Sequence, residues 1–233
     1  MKNPVLFANR LLATLPVKDR QQVLANCESV KLQLAEVISE PGEQIHHVYF
    51  PTNSFVSMMT APDDHAGLEV RLVGNEGMIG TPLILGIDVT LLRTFVQGAG
   101  SAWRMTSEHF RDAMKGSEAL QTTLNRYVYV LTNQIELMVA CTRFHVLEVR
   151  LARWLLMTQD RAHSDHFHVT HEFLSRMLGV RRVGITKAAT ALQQQGLIHY
   201  SRGNITVLDR TGLKTIACGC YGAAEAIYDQ ILG

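Results

Sequence analysis

"LGVRRVGITKAATALQQQGLI", residues 178–198, sets two adjacent arginines between a glycine and a stretch whose apolar residues recur at helical spacing. Just upstream, Thr170 is placed to cap a helix that begins at His171, and Gly179 to end it in a tight turn. A second helix is expected over about 181–195, and two helices joined through a glycine turn make a helix-turn-helix. On that second helix Ile185, Ala188, Ala189 and Leu192 share an inner face. Val183, Lys187, Thr190 and Gln194 lie opposite, with Arg182 and Thr186 beside them. Arginine in the first turn opposes the helix dipole. That cost is offset where the helix end meets a phosphate backbone or a guanine edge, to which arginine offers a bidentate fork.

The residues after this helix extend the pattern. "GLIHYSRGNITVLD" reads as two short strands, 197–201 and 204–208, around a turn at Arg202-Gly203. This is a wing, with Arg202 at its tip in reach of a neighbouring phosphate. Residues 150–210 carry nine Lys or Arg against four acids, while the rest of the chain carries 13 against 17. One segment is therefore suited to a polyanion, although the net charge of the whole is only +1.

Outward from there, the 233 residues are enough for two modest domains, and a 47% hydrophobic composition can build a core in each. No run of eighteen apolar residues occurs and the amino terminus has no signal-peptide pattern, so a cytoplasmic protein without a membrane partner is expected. Cys27, Cys141, Cys218 and Cys220 are too sparse for a disulfide framework and read as reduced thiols. Residues 4–36 read as one or two short helices, with Asn3 as cap, Pro4 at the first position, and Leu6, Leu11, Leu12 and Leu15 available for burial. Over 37–106 the segments "IHHVYF", "SFVSMM", "LEVRLV", "RTFVQ" and "SAWRM" alternate with turn signals and predict a small antiparallel β-roll. Between two of them "EGMIGTPLILGIDVTL" is too long for a hairpin turn and too apolar for a free loop, which suggests a bound or covered segment.

From 107 to about 157 the pattern is helical. Leu124, Val128, Leu131, Ile135 and Met138 step by coiled-coil spacing, which favours a parallel homodimer seam over docking on the chain's own roll. "EVRLARWLLMTQD" continues with Val149, Ala152, Leu155 and Leu156 as apolar positions, so a hinge is placed within 141–147.

In this order the sequence resembles the Crp/Fnr family of bacterial transcription regulators over nearly its whole length: "GEQIHHVYFP", "VGNEGMIG", a long helix, "RLARWLL", and the winged helix. The resemblance implies an α+β chain. An effector or sensor β-roll like those that bind cyclic nucleotides would span 1–118, a dimerisation helix 119–145, a winged helix-turn-helix 146–213 and a helical tail 214–233. It implies a dimeric, sequence-specific regulator on double-stranded DNA, with RNA polymerase as a further partner and no enzymatic activity. DNA contacts are expected at Thr170, Arg181, Arg182, Val183, Thr186, Lys187 and Arg202, and the effector pocket at Gly80, Thr81, Arg93 and Thr94. A signal-binding protein that acts through protein partners, with a vestigial winged helix, is the alternative.

Departures from the family pattern narrow these expectations. Many members follow the arginine with a glutamate, whereas Val183 follows Arg182; it can touch a thymine methyl but cannot accept from cytosine. The cyclic-nucleotide branch has a glutamate after the glycine where Thr81-Pro82 follows Gly80, and a small residue where Phe95 follows Arg93-Thr94. A typical cyclic AMP site is therefore not expected; the pocket is either unoccupied or tuned to a different small-molecule or nucleotide effector, which the sequence does not identify. Only Cys27 precedes Cys141, so no iron–sulfur cluster of the family type is expected, and no spacing singles out a haem ligand among ten histidines. The histidines of "HSDHFHVTH" read as a solvated loop with one capping or backbone-bound ring, and "CGC" at 218–220 as two thiols without a partner pair, packed near a carboxy-terminal helix. No metal site is assigned.

Overall fold

The computed structural model describes residues 9–60 and 67–233, so the expected roles of Asn3, Pro4 and Leu6 lie outside the described residues. The chain divides into two compact units. The first takes the described residues up to Met58, with Arg71–Thr132 and Ile227–Gly233; the second takes Asn133–Ala226 and the described part of Met59–Val70. The division does not follow sequence order as the expected domain limits do.

In the first unit, α1 (Arg10–Ala13) is capped by Asn9, whose side chain accepts from Leu12 N at 2.9 Å and donates to Pro51 and Gly77 carbonyls. Leu11, Leu12 and Leu15 are buried as expected. After α2 (Val17–Ala25), Asn26 ends the helical run and β1 (Glu28–Leu32) begins, so the helix expected through residue 36 is in fact strand from Glu28. The reason is visible in the side chains: Val30 and Leu32 turn toward the core while Ser29 and Lys31 face outward, and Glu28 at the strand end is exposed, a weak alternation easily taken for a helix face. β2 (Val37–Ser39), β3 (His47–Pro51), β4 (Phe55–Thr60), β5 (Leu68–Val73), β6 (Arg93–Gly98) and β7 (Gly100–Thr106) follow. One sheet runs β1-β7-β3 and the other β2-β6-β4-β5, both with antiparallel pairings such as Glu28 with Arg104, Phe50 with Trp103 and Val37 with Phe95.

Leu32, Val56, Met58, Val73, Val96 and Ala102, drawn from both sheets, pack into one cluster. Strand alternation then sends Val48, Phe50 and Met105 to the opposite side of the first sheet. There they meet Leu11, Leu12 and Leu15, Phe110 of α3 (Ser107–Gly116), and Leu120, Leu124, Tyr127 and Leu131 of α4 (Glu118–Phe144). The expected dimer seam is corrected at this point: Leu124 and Leu131 are buried in the chain's own core. The core-facing set is 120, 124, 127, 130 and 131, and shares Leu124 and Leu131 with the seam because residues seven apart lie one above the other and belong to both of two adjacent stripes. Val128 and Met138 are partly exposed and Ile135 is 40% exposed. The apolar segment after β5 forms a covered 3-10 turn, Thr81–Leu85, with Met78, Ile79 and Leu83 buried. Tyr228 and Leu232 of α9 (Cys220–Leu232) join the same helical layer.

In the second unit, α4 stops at Phe144 and α5 (Leu147–Ala162) starts after an extended Val146, which places the break inside the expected 141–147. Leu151, Ala152, Leu155 and Leu156 are fully buried. Then come β8 (His166–His168), α6 (His171–Leu178), α7 (Arg182–Gln194), β9 (Ile198–Ser201), β10 (Asn204–Val207) and α8 (Arg210–Ile216). β8, which the sequence does not predict, pairs with β10 and makes the wing a three-stranded sheet, β8-β10-β9. Within this unit the indole N–H of Trp154 donates to the buried Glu69 carboxylate at 2.9 Å.

Candidate nucleic-acid interface and ligand cavity

Thr170 caps α6, its hydroxyl accepting from Phe173 N at 3.1 Å, and Gly179 closes the helix at φ +63. A Cβ on Gly179 would lie 2.9 Å from Leu68 Cδ1, so both its backbone and its surroundings call for glycine. Helix α7 has Arg181 as N-cap with no side-chain cap bond, and Ile185, Ala188, Ala189 and Leu192 buried as expected. Arg181, Arg182, Val183, Thr186 and Lys187 are all exposed; Val183 is an apolar residue 59% open to solvent at the head of the helix. The Thr186 hydroxyl contacts His171 Nδ1 at 3.0 Å and the Arg182 carbonyl at 3.2 Å. The His171 ring stacks on Tyr200 with centroids 4.3 Å apart, so these three side chains fix α6, α7 and β9 to one another. Burial and the nearby Arg182 cation hold His171 below its ordinary pKa, which keeps the stacked ring neutral.

Arg202 and Gly203 at the wing tip both have positive φ, +48 and +82, as a two-residue primed turn requires. The charge asymmetry of the sequence narrows accordingly. Of the nine cations, Arg150 and Arg153 are buried, with Arg150 donating to the Leu178 carbonyl at 2.7 Å. Arg161 donates to the Met157 carbonyl, Arg176 pairs with Glu172 at 2.7 Å, and Arg210 is held by Asp160 and Gln159 at 2.6 Å. The remaining four, Arg181, Arg182, Lys187 and Arg202, are exposed and make neither an ion pair nor a side-chain hydrogen bond among the described residues. His166 and His168 bond across the wing to Thr206 and Asn204, at 2.8 and 3.1 Å, so this stretch is strand rather than the solvated loop expected.

The first unit encloses a cavity of about 620 Å³ beside the 3-10 turn. Gly80, Thr81 and Thr94, three of the four residues expected at an effector pocket, line it. Arg93 does not. Along β6 the buried residues are Thr94 and Val96, so Arg93 projects from the other face, where it pairs with Glu40 at 3.4 Å and stays half exposed. The cation in the cavity is Arg71 of β5, which in sequence is one more residue of an alternating strand and carries no motif. Its Nη1 donates to Thr81 Oγ1 at 3.3 Å, while its Nε and Thr94 Oγ1 are buried without a hydrogen-bond partner. Burial draws the guanidinium below its usual pKa, yet it remains charged at neutral pH. A cation and a hydroxyl with open hydrogen-bonding capacity in a cavity of this size suit a small anionic ligand.

A second cluster lies in the other unit. Cys141, His145, Cys218 and Cys220 bring four donor atoms within 4.8 Å of one another, whereas the sequence left Cys218 and Cys220 without partners. The legible signal was Cys141-x-x-x-His145, one helical turn apart.

Residues 149–216 match the family model for the Crp-like helix-turn-helix domain. This chain carries a Crp-like helix-turn-helix domain. Beyond that domain, solved structures of Crp/Fnr-family regulators are similar in fold over most of the chain. A protein from Eubacterium rectale assigned to the Crp/Fnr family of transcriptional regulators matches with TM-score 0.70 at 18% identity, over 88% of this chain and 96% of that one. The c-di-GMP responsive global regulator CLP of Xanthomonas campestris matches with TM-score 0.63 at 16% identity, over 83% and 100%. A Crp/Fnr-family regulator from Thermus thermophilus matches with TM-score 0.61 at 22% identity, over 82% and 98%. A search of curated proteins by sequence finds no match. Among the described residues, no helix is long and apolar enough to cross a membrane.

Proposed function

We propose that the protein is a dimeric, sequence-specific transcription regulator whose hold on DNA is set by a small anionic ligand in the β-roll cavity. The observation that carries this reading is the set of exposed cations without ion pairs, three on the first turns of α7 and one at the wing tip. Arg182 reads a base edge, Arg181, Lys187 and Arg202 hold phosphates, and Val183 packs on a base or its methyl group. Thr186 is exposed at the same end of α7, with its hydroxyl engaged by His171.

Dimerisation is assigned to the part of α4 not docked on the roll: Val128, Ile135 and Met138, together with Val139, which is 66% exposed. Two copies would then offer two reading helices to half-sites one helical turn, about 34 Å, apart in a palindromic operator. Ligand in the cavity biases the population in which both helices fit. This function belongs in the cytoplasm, with RNA polymerase as the further partner.

Binding to genomic fragments, titrated against salt and competitor DNA, tests the reading. A steep salt slope with sequence selectivity supports it, and Arg182→Ala then lowers discrimination at one base pair of each half-site by about 1–3 kcal/mol. Absence of specific DNA binding would favour action through protein partners alone.

A further inference from the structure

We propose that Cys141, His145, Cys218 and Cys220 form a tetrahedral site for one Zn²⁺ ion. Cys141 Sγ lies 3.5 Å from Cys218 Sγ, and Cys220 Sγ lies 3.7 Å from His145 Nδ1. Zinc bonds of about 2.3 Å to sulfur and 2.0 Å to nitrogen, set at tetrahedral angles, require edges of about 3.8 Å between sulfurs and 3.5 Å between sulfur and nitrogen. All four donors fall within 4.8 Å of one another, so the cage is sized for one ion rather than for a cluster whose irons would spread the ligands apart.

Backbone structure holds both halves. His145 N donates to Cys141 O at 3.1 Å, closing the last turn of α4, and Tyr221 N donates to Cys218 O at 3.1 Å in the turn that opens α9. The three thiols are buried, yet among the described residues the only apolar side chain packed with them is Val149. That is poor company for cysteines serving as small hydrophobes.

The electrostatics fit as well. Three thiolates around a dication leave one net negative charge. Buried Arg150 and Arg153 both lie within Coulombic reach of the cysteines, and Arg153 Nε has no hydrogen-bond partner. Guanidinium charge beside the thiolates offsets that net negative charge, as outer-shell groups do at metal sites. Thiolates and imidazole favour a borderline-soft ion over magnesium or calcium, and four protein donors leave no open position, which marks a structural rather than a catalytic zinc. On binding, the thiols release their protons to solvent. The ion would tie the end of α4 to the 218–220 turn, across 77 residues of sequence, next to the break at residues 145–146.

The test uses the full chain and needs no DNA. Elemental analysis of protein purified without chelator, then reloaded with zinc, is expected to give one zinc per chain. Cobalt reloading is expected to give the visible bands and thiolate charge-transfer absorption of a tetrahedral thiolate-rich site. Cys218→Ser should weaken zinc binding at least about 100-fold, no less than loss of an outer-shell partner does. In case that variant fails to fold, wild-type protein is alkylated with and without zinc: three of the four cysteines should be protected by the ion, leaving Cys27. Less than about a tenth of an equivalent of zinc after reloading would overturn the assignment. So would equal thiol reactivity with and without zinc, or a Cys141–Cys218 disulfide in place of metal.

Discussion

The most discriminating change at the wing is Arg202→Asn. Arg202 sits at φ +48 ahead of Gly203, and Asn-Gly is the pair that a primed hairpin turn favours most. The substitution therefore removes the charge while keeping or improving the turn, so wing stability should not fall. If Arg202 neutralises one phosphate in each subunit, a bound dimer loses two such contacts. Each contributes about 0.9 to the slope of log affinity against log salt, so the slope should fall by about 1.8. Extrapolated from equal affinity at 1 M, that difference is about 30-fold at 0.15 M salt and about 200-fold at 0.05 M. Fluorescence anisotropy across that salt range, on operator and on scrambled duplex, measures it. The loss should be the same on both duplexes, because a phosphate contact carries no sequence information. An unchanged slope, or a loss confined to the operator, would refute the assignment of Arg202 to the backbone.

Three further changes test other parts of the molecule. Arg71→Met should abolish calorimetric binding of a small phosphate-bearing anion in the cavity, with cyclic AMP as the first probe. Arg93→Ala should leave that binding within about twofold, since its exposed partner Glu40 makes a surface pair worth about 0–1 kcal/mol. Trp154→Phe removes the indole donor to buried Glu69 and should lower stability in urea by about 1.5–3 kcal/mol.

The helix-turn-helix was legible because every signal it needs is local. Thr170, Gly179 and the 185-188-189-192 face lie within a few turns of one another, and the structure places each as the spacing says. The wing was legible through Arg202-Gly203, but β8 was not: three residues rich in histidine become a strand only because β10 offers them an edge. The α4 seam shows the converse. Its heptad spacing was real, yet a periodicity says that a face is buried and not against what. Leu124 and Leu131 found Phe110 and the β-roll, while Ile135 kept its exposure.

Arg71 and Arg93 make the same point at the level of chemistry. Both stand on strands, and from sequence the Arg93-Thr94 pair had the stronger claim to the pocket. A strand, however, delivers only alternate residues to a cavity, and β6 gives its inward position to Thr94. The cation must then come from a neighbouring strand, and Arg71 supplies it with an unpartnered Nε. The cysteines follow the same logic over a longer range. Cys141 and His145 share a helix face by spacing alone, but two donors do not hold an ion, and the other two arrive from a turn that only the fold brings near. In this chain the local half of each site was readable from the sequence; the half that decides its chemistry depends on which elements the core sets side by side.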